Sequence, residues 1–112
     1  MSDPTAIVRA YFEGITAHDA DAVQACFADD AELVTAAGKF EGAEAIGGFY
    51  RDNLFQSADL RPSPGPLIVD GNRVAVEIDL LTGGRHIAVG DFFTIDGDKI
   101  RRLVIFFGHE LT

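Results

Sequence analysis

The stretch Ile87-Ala-Val-Gly-Asp-Phe-Phe-Thr-Ile95 is the most informative part of this sequence. It reads as a β-strand, in which alternate side chains point to opposite faces of a sheet. Asp91 therefore shares a face with four apolar residues, Ile87, Val89, Phe93 and Ile95. A carboxylate on such a face loses its hydration, and burial of that kind raises a carboxyl pKa. We expect Asp91 either to pair with Arg85 or Arg101, or to be protonated and to donate a hydrogen bond within a pocket.

The second half of the chain reads as a series of antiparallel strands. Its alternating apolar runs are separated by turn signals at Asp70-Gly71, Thr82-Gly83-Gly84 and Asp96-Gly97, and Asp-Gly between such runs is typical of a hairpin. The last two strands are predicted at Arg85–Ile95 and Lys99–Phe107. Both faces of the final strand carry apolar side chains: Leu103, Ile105 and Phe107 on one, Val104 and Phe106 on the other. One face can line a core, and we expect the other to be covered in a homodimer.

The first half reads as helices, beginning at Asp3-Pro4, where an N-cap residue precedes a proline at the first helical position. An apolar stripe with helical spacing follows: Ile7, Val8, Tyr11, Phe12 and Ile15. Because Tyr11 lies in the middle of this stripe, its phenol is expected to point into the interior. It then either donates to a backbone carbonyl or serves a pocket.

Asp19 is predicted to begin a second helix with Val23, Cys26 and Phe27 on its apolar face, ended by Asp29-Asp30. A strand over Ala31–Ala37 and a third helix with Ile46, Phe49, Tyr50 and Leu54 at helical spacing come next. The pattern predicts an α+β fold with one domain over residues 1–112. In it, a curved mixed or antiparallel sheet wraps around three N-terminal helices and leaves a cone-shaped pocket.

Composition narrows the possible partners and environments. The 112 residues carry a net charge of −9, which disfavours binding to nucleic acid and to anionic membranes. One cysteine excludes an internal disulfide, and no secretory signal or transmembrane run is visible, so we expect a cytoplasmic protein. Neither a metal-ligand spacing nor a phosphate-binding loop is recognisable, and no cofactor or metal is predicted.

Several segments resemble the SnoaL-like branch of the nuclear transport factor two superfamily, and within it the bacterial ketosteroid isomerases. The resemblance extends over nearly the whole chain. Its segments are Tyr11 with His18-Asp19, Phe27-Ala28-Asp29-Asp30-Ala31, Gly42 with Ile46, Phe49-Tyr50, Gly90-Asp91-Phe92-Phe93, Asp96-Gly97-Asp98-Lys99 and Phe106-Phe107-Gly108.

This resemblance implies an oxyanion hole made by Tyr11 and a protonated Asp91, since ketosteroid isomerases are known for a carboxylic acid that an apolar site keeps neutral. The implied ligand is a steroid or a similar apolar polycyclic ketone, with Thr35, Phe49 and Phe93 as further binding residues. The chain departs from the family at the general base, because Thr35 stands where those enzymes have an aspartate.

A replacement base would have to come from elsewhere in the chain. Glu32 is predicted on the opposite strand face, Lys39 follows the strand, and His109 lies near the C-terminus. Three functions are compatible with these residues. The first is isomerisation through a dienolate. The second is binding of a ketone or phenol without catalysis. The third is another reaction on the same fold, such as that of a cyclase, dehydratase or epoxide hydrolase.

Overall fold

A computed structural model gives the structure of residues 3–111, which contain three α-helices and seven β-strands. The helices α1 to α3 are Pro4–Thr16, Ala20–Ala25 and Ala43–Asp52. The strands β1 to β7 are Phe27–Thr35, Gly38–Glu41, Arg61–Pro64, Ile68–Asp70, Arg73–Thr82, Arg85–Asp96 and Lys99–Glu110. A short 3₁₀ turn, Leu54–Gln56, follows α3.

The first two helices begin where their capping residues predicted. The Asp3 carboxylate accepts a hydrogen bond from the Thr5 backbone N–H at 3.0 Å, and this bond holds the Asp3 pKa below its usual value. The Asp19 carboxylate accepts from the Ala22 N–H at 3.0 Å. These side chains satisfy backbone donors that have no partner within the helix. The predicted apolar stripe of α1 is buried at Val8, Tyr11, Phe12 and Ile15.

The strands form one mixed sheet in the order β2-β1-β7-β6-β5-β3, with β4 also paired to β5. The pair β1–β7 is parallel, and the other pairs are antiparallel. This curved, unclosed sheet packs one face against the helices, which confirms the predicted α+β class. No helix within residues 3–111 is long and apolar enough to cross a membrane.

The boundary between α2 and β1 differs from the prediction. The helix ends at Ala25, and Phe27 begins β1 instead of continuing the helix. The Ile100 N–H donates to the Cys26 carbonyl at 2.8 Å, and Phe27 pairs with Ile100 in the parallel ladder. Hydrogen bonds to a strand more than seventy residues away therefore prevail over the local helical spacing of the apolar residues. At its other end β1 stops at Thr35, which pairs with Gly38 to close a hairpin with β2.

The two faces of the sheet have different environments. The inner face of β5 and β6 is buried against the helices, at Val74, Val76, Ile78, Leu80, Val89, Asp91, Phe93 and Ile95. On the outer face, Phe92 and Phe106 remain 44% and 61% exposed. The alternation read from the sequence thus assigns the faces correctly, and it places Asp91 on the side of the helices.

Candidate functional site

A small cavity of about 40 Å³ lies between the helices and the inner face of the sheet. Its polar lining residues are Tyr11, Tyr50 and Asp91. The apolar lining residues are Phe12, Ile15, Leu54, Leu60, Pro62, Ile78, Leu80, Val89, Ile105 and Phe107. A wider groove of about 680 Å³ between α1 and residues 64–67 is open to solvent, but it contains no buried titratable side chain. The cavity that contains the buried Asp91 is therefore the better candidate for the functional site.

Asp91 reaches the cavity from the middle of β6 with only 3% of its surface exposed. Its neighbours on the ladder are Val76 of β5 and Ile105 of β7, so its carboxyl group lies among hydrocarbon. Burial raises the pKa of Asp91 to about 8, and the group is mainly neutral at pH 7. Among the described residues, Asp91 Oδ1 has no hydrogen-bond partner. A neutral acid without a partner is able to donate a hydrogen bond to a ligand.

Arg85 and Arg101, the two cationic partners expected for Asp91, form ion pairs with other acids. Arg85 is 3.6 Å from Glu110, and Arg101 contacts Asp30 and Asp96. Both arginines are more than half exposed in these pairs. Neither arginine therefore pairs with Asp91, whose side chain is buried, and the protonated state of this carboxyl group stays a prediction.

Two tyrosines supply the other polar groups of the cavity. The hydroxyl of Tyr11 in α1 lies 2.5 Å from that of Tyr50 in α3, and both side chains are buried. Burial is the main cause that raises both phenol pKa values, and the neighbouring Asp91 raises them further. Both phenols therefore keep their protons at neutral pH.

The pairing of the tyrosines leaves one donor free. A hydroxyl has a single proton, so whichever tyrosine donates to the other, the acceptor keeps a proton that it can give to a third group. A hydroxyl that accepts one hydrogen bond becomes a better donor in the next. The pair Tyr11–Tyr50 and Asp91 thus present two neutral donors to one small apolar space.

Tyr50 was not among the site residues that the sequence suggested. The sequence places Tyr50 in the apolar stripe of α3, together with Ile46 and Phe49, and in the Phe49-Tyr50 segment of the family resemblance, neither of which assigns it a role at the site. Nothing in a helical stripe separates a tyrosine that fills a core from one that bonds to a second tyrosine. The only available signal was that the phenol of Tyr50, buried by the same spacing as that of Tyr11, also needs a hydrogen-bond partner.

Thr35, Phe49 and Phe93 lie near the cavity but are not among its lining residues. Leu33 and Val34 pair in parallel with Leu103 and Val104, so Thr35 continues this register beside Ile105. Since Ile105 pairs with Asp91, Thr35 lies two strands away on the same inner face, at about 10 Å. Its hydroxyl accepts from the Ala37 N–H at 3.0 Å.

The two phenylalanines support the walls behind the polar groups. The ring of Phe93 packs edge-on against that of Tyr11 with 5.3 Å between centroids. Phe49 packs against Tyr50 in the same way at 5.5 Å. Their contacts therefore hold the two tyrosine rings in place.

The residues considered as replacement bases are engaged outside the cavity. Glu32 binds Arg102 at 2.9 Å and Lys39 at 3.1 Å, and these contacts lower its pKa. His109 is exposed. Within residues 3–111, no group of three or more His, Cys, Asp or Glu side chains is arranged to hold a metal ion.

Residues 8–103 match the sequence model of the SnoaL-like domain. The chain belongs to the SnoaL-like family. This match confirms the SnoaL-like family that the sequence indicated. No curated protein matches this SnoaL-like chain.

Solved structures similar to this SnoaL-like domain share its fold at low sequence identity. A candidate ketosteroid isomerase from Kribbella flavida has a TM-score of 0.85 at 18% identity, covering 95% of this chain and 78% of its own. A candidate polyketide cyclase from Sinorhizobium meliloti has a TM-score of 0.80 at 24% identity, covering 94% and 100%. An NTF2-like protein of unknown function from Cytophaga hutchinsonii has a TM-score of 0.82 at 15% identity, covering 96% and 91%. These likenesses establish the fold, and the chemistry has to be argued from the cavity.

The raised pKa of Asp91 predicts a specific dependence of stability on pH. Between the unfolded value of 3.8 and the folded value of about 8, the folded state holds a proton that the unfolded chain has lost. The free energy of unfolding should therefore fall as the pH rises through this window, by up to about 1.4 kcal/mol per pH unit from this group. In Asp91→Asn, this contribution disappears.

Urea denaturation at about pH 5 and about pH 8 measures the effect, and the advantage of Asp91→Asn over the wild type should grow toward the higher pH. Asp70→Asn, which alters an exposed carboxylate, is the matched control. Its free energy of unfolding should differ from that of the wild type by the same amount at both pH values. Equal pH profiles for wild type and Asp91→Asn would show that Asp91 is ionised in the folded protein.

Proposed function

We propose that this SnoaL-like domain binds an uncharged carbonyl or phenolic compound, whose oxygen accepts hydrogen bonds from Tyr11 and the neutral Asp91. The observation that supports this most is the buried Asp91 carboxyl group, whose Oδ1 has no hydrogen-bond partner within the described residues and which lines the same cavity as the paired tyrosines. Buried polar groups without partners are costly, and one that persists in a cavity indicates a ligand contact.

The chemistry that such a pair supports is stabilisation of an oxyanion. When a proton leaves the carbon next to a ketone, negative charge develops on the ketone oxygen. Donors that are already positioned in a site without water can each contribute about 3–4 kcal/mol to such a state. Because the pKa of Asp91 is about 8, the carboxyl group provides a proton near neutral pH without being charged itself. Asp91 stays protonated at low pH, so acidification should not impair this role.

The lining residues also limit the charge of the ligand. None of them is a lysine, arginine or histidine, so a carboxylate or phosphate would enter without a counter-ion. Transfer of an unpaired charge into such a space is strongly unfavourable. We therefore favour a neutral compound with one hydrogen-bonding oxygen and an apolar body, of which a steroid or polycyclic ketone is one example.

Catalysis needs a base as well as an oxyanion hole, and the residue types around the cavity bear on the choice between the two main alternatives. Apart from Asp91, the cavity lining contains no carboxylate or imidazole, and a threonine hydroxyl does not shuttle protons at neutral pH. This observation favours a binding protein over an efficient isomerase. The isomerase remains the second candidate, since Thr35 lies on the inner face beside Ile105.

A phenol that resembles an enolate, such as 2-naphthol, tests the proposed binding site. We expect saturable binding, followed by fluorescence, that weakens roughly tenfold or more in Tyr11→Phe and in Asp91→Leu, because each variant removes one donor. Asp70→Asn serves as the control and should bind like the wild type. Unchanged affinity in both cavity variants would exclude the proposed hydrogen bonds.

Conversion of a β,γ-unsaturated ketone to its conjugated isomer tests the role of position 35. Wild-type protein should show little turnover, whereas Thr35→Asp should gain about 10²–10⁴-fold, the usual contribution of a positioned base. Thr35→Asn has nearly the same shape without a proton-accepting carboxylate, so it separates catalysis from a change in packing. If a folded Thr35→Asp is no faster than Thr35→Asn, the cavity does not hold the ketone near this position.

We also propose a homodimer that covers the outer face of the sheet. An apolar row crosses this face in register: Ile68, Ala75, Phe92, Val104 and Val34. Phe106 adds to the row, with its ring 5.7 Å from that of Phe92. Ion pairs such as Glu32–Arg102 lie on the neighbouring row of the same face. An exposed apolar row with polar residues along its margin is typical of a protein interface.

Phe106→Glu should convert the dimer to a monomer, because a charge in the middle of an apolar contact would be buried without a partner. Sedimentation velocity measures the state directly. Leu111→Glu, which changes an apolar residue of comparable exposure away from the row, is the control. A wild type that sediments as a monomer at all accessible concentrations would refute this contact.

A further inference from the structure

The cavity is too small for the ligands that its polar groups could recognise. Its volume is about 40 Å³, close to the share of a single water molecule in the liquid, about 30 Å³. Protein cavities that bind benzene are nearer to roughly 150 Å³. A ketone or phenol with one ring therefore enters only if part of the wall moves.

The segments that line the cavity differ in how extensively they are hydrogen-bonded and packed against the rest of the fold. Ile78, Val89 and Ile105 belong to β5, β6 and β7, each of which pairs with strands on both sides. Leu54 and Leu60 belong instead to the connection between α3 and β3. None of the residues in the 3₁₀ turn of this connection is fully buried, and within residues 54–60 only Leu60 is buried, at 3% exposure. Segments with little buried surface open at the lowest cost in free energy.

The carboxylate of Asp59 is one of two side chains whose hydrogen bonds attach this connection to the rest of the fold. It accepts hydrogen bonds from the backbone N–H groups of Gly83 and Gly84, both at 2.8 Å, and these bonds are the main cause that lowers its pKa. Both glycines have positive φ, at 58° and 76°, and this backbone geometry directs the two donors to one carboxylate. The Ser57 hydroxyl adds a contact to Thr82 Oγ1 at 2.7 Å.

His18 is the second side chain that attaches this connection to the rest of the fold. Its Nε2 bonds to the Leu60 carbonyl oxygen at 2.7 Å, and its ring stacks on Phe55 with 5.1 Å between centroids and an angle of 4°. His18 has a φ of 54°, which is uncommon for a residue other than glycine and indicates a conformation held by its surroundings. Neither His18 nor Asp59 lines the cavity.

We propose that residues 54–60 form a lid over the cavity, which Asp59 and His18 hold closed and which opens to admit the ligand. The inference rests on the proposed function only for the identity of the occupant. Leu54 and Leu60 face the cavity, while the hydrogen bonds of Asp59 and His18 attach the lid to the β5–β6 turn and the α1–α2 turn. The lid thus determines access to Tyr11 and Asp91 without contacting the ligand oxygen.

A cysteine in the cavity reports opening without any ligand. Ile78 is 4% exposed and lines the cavity, so Ile78→Cys in a Cys26→Ala background places a thiol beneath the lid. The native Cys26 is also buried, at 5% exposure, but lies outside the cavity and reports global opening. The cavity thiol is labelled with iodoacetamide in the full chain that carries Ile78→Cys and Cys26→Ala, and Cys26 is labelled in the chain with the native Ile78. Each protein is compared with and without Asp59→Asn.

Asp59→Asn should raise the labelling rate of the cavity thiol several-fold and leave that of Cys26 unchanged, because it weakens charge-assisted bonds at the lid alone. His18→Asn should act in the same direction, since asparagine tolerates the positive φ. Asp70→Asn should change neither rate. Equal acceleration of both thiols, or of neither, would overturn the lid.

Should the Ile78→Cys protein not fold, amide hydrogen exchange gives the same comparison. The Ser57 and Leu60 amides, bonded within the connection, should exchange several-fold faster in Asp59→Asn, and the Ile100 amide should not. Neither measurement uses a phenol. A lid confirmed by labelling together with failed 2-naphthol binding would count against the proposed function alone.

Discussion

The burial of the Asp91 carboxyl group on the inner face of β6 is the constraint that gives this structure its chemical character. A carboxylate at this position would face Val76, Ile105 and two phenolic rings without a cation. Desolvation makes the neutral acid the favourable form, so the group changes from an acceptor into a donor. This arrangement lowers stability at neutral pH relative to an apolar residue. Such a cost at one buried position is typical of a functional site.

The remaining charges are distributed in a way that preserves this neutrality. Glu32 is held on the outer face by Arg102 and Lys39, and the contacts of Arg85 and Arg101 are with exposed acids. Individually such surface pairs contribute little to stability. Desolvation already disfavours a cation in the interior, and these pairs give the cations partners at the surface. The tyrosine hydroxyls bond to each other, so the polar groups of the cavity form a small neutral set, enclosed by hydrocarbon and by the connection from Leu54 to Leu60.

Several of these features could be predicted because they depend on short-range patterns. Alternation along β6 placed Asp91 on an apolar face, and helical spacing placed Tyr11 in the interior of α1. Asp3 and Asp19 marked helix starts through their capping geometry. The end of α2 was mispredicted, since Cys26 and Phe27 continue an apolar helical stripe and only pairing with Ile100 shows that they have left it. The bond from Tyr50 to Tyr11 and the attachment of Asp59 to Gly83 and Gly84 join residues from separate elements, so local spacing contains no sign of them.

The amino-acid sequence by itself determined the fold class, the assignment of Asp91 and Tyr11 to the interior, and the departure from an acid at Thr35. The first two follow from the periods of helix and strand, which set the face of each side chain within a few residues, whereas the third follows from the resemblance to the ketosteroid isomerases. Only the tertiary structure decided that Asp91 has no cation, that Tyr11 pairs with Tyr50, that Thr35 lies two strands from Asp91, and that the cavity has a volume of about 40 Å³. Each of these depends on the distance between elements that are remote in the chain. That distance is set by the packing of the whole core, which no local pattern of residues contains.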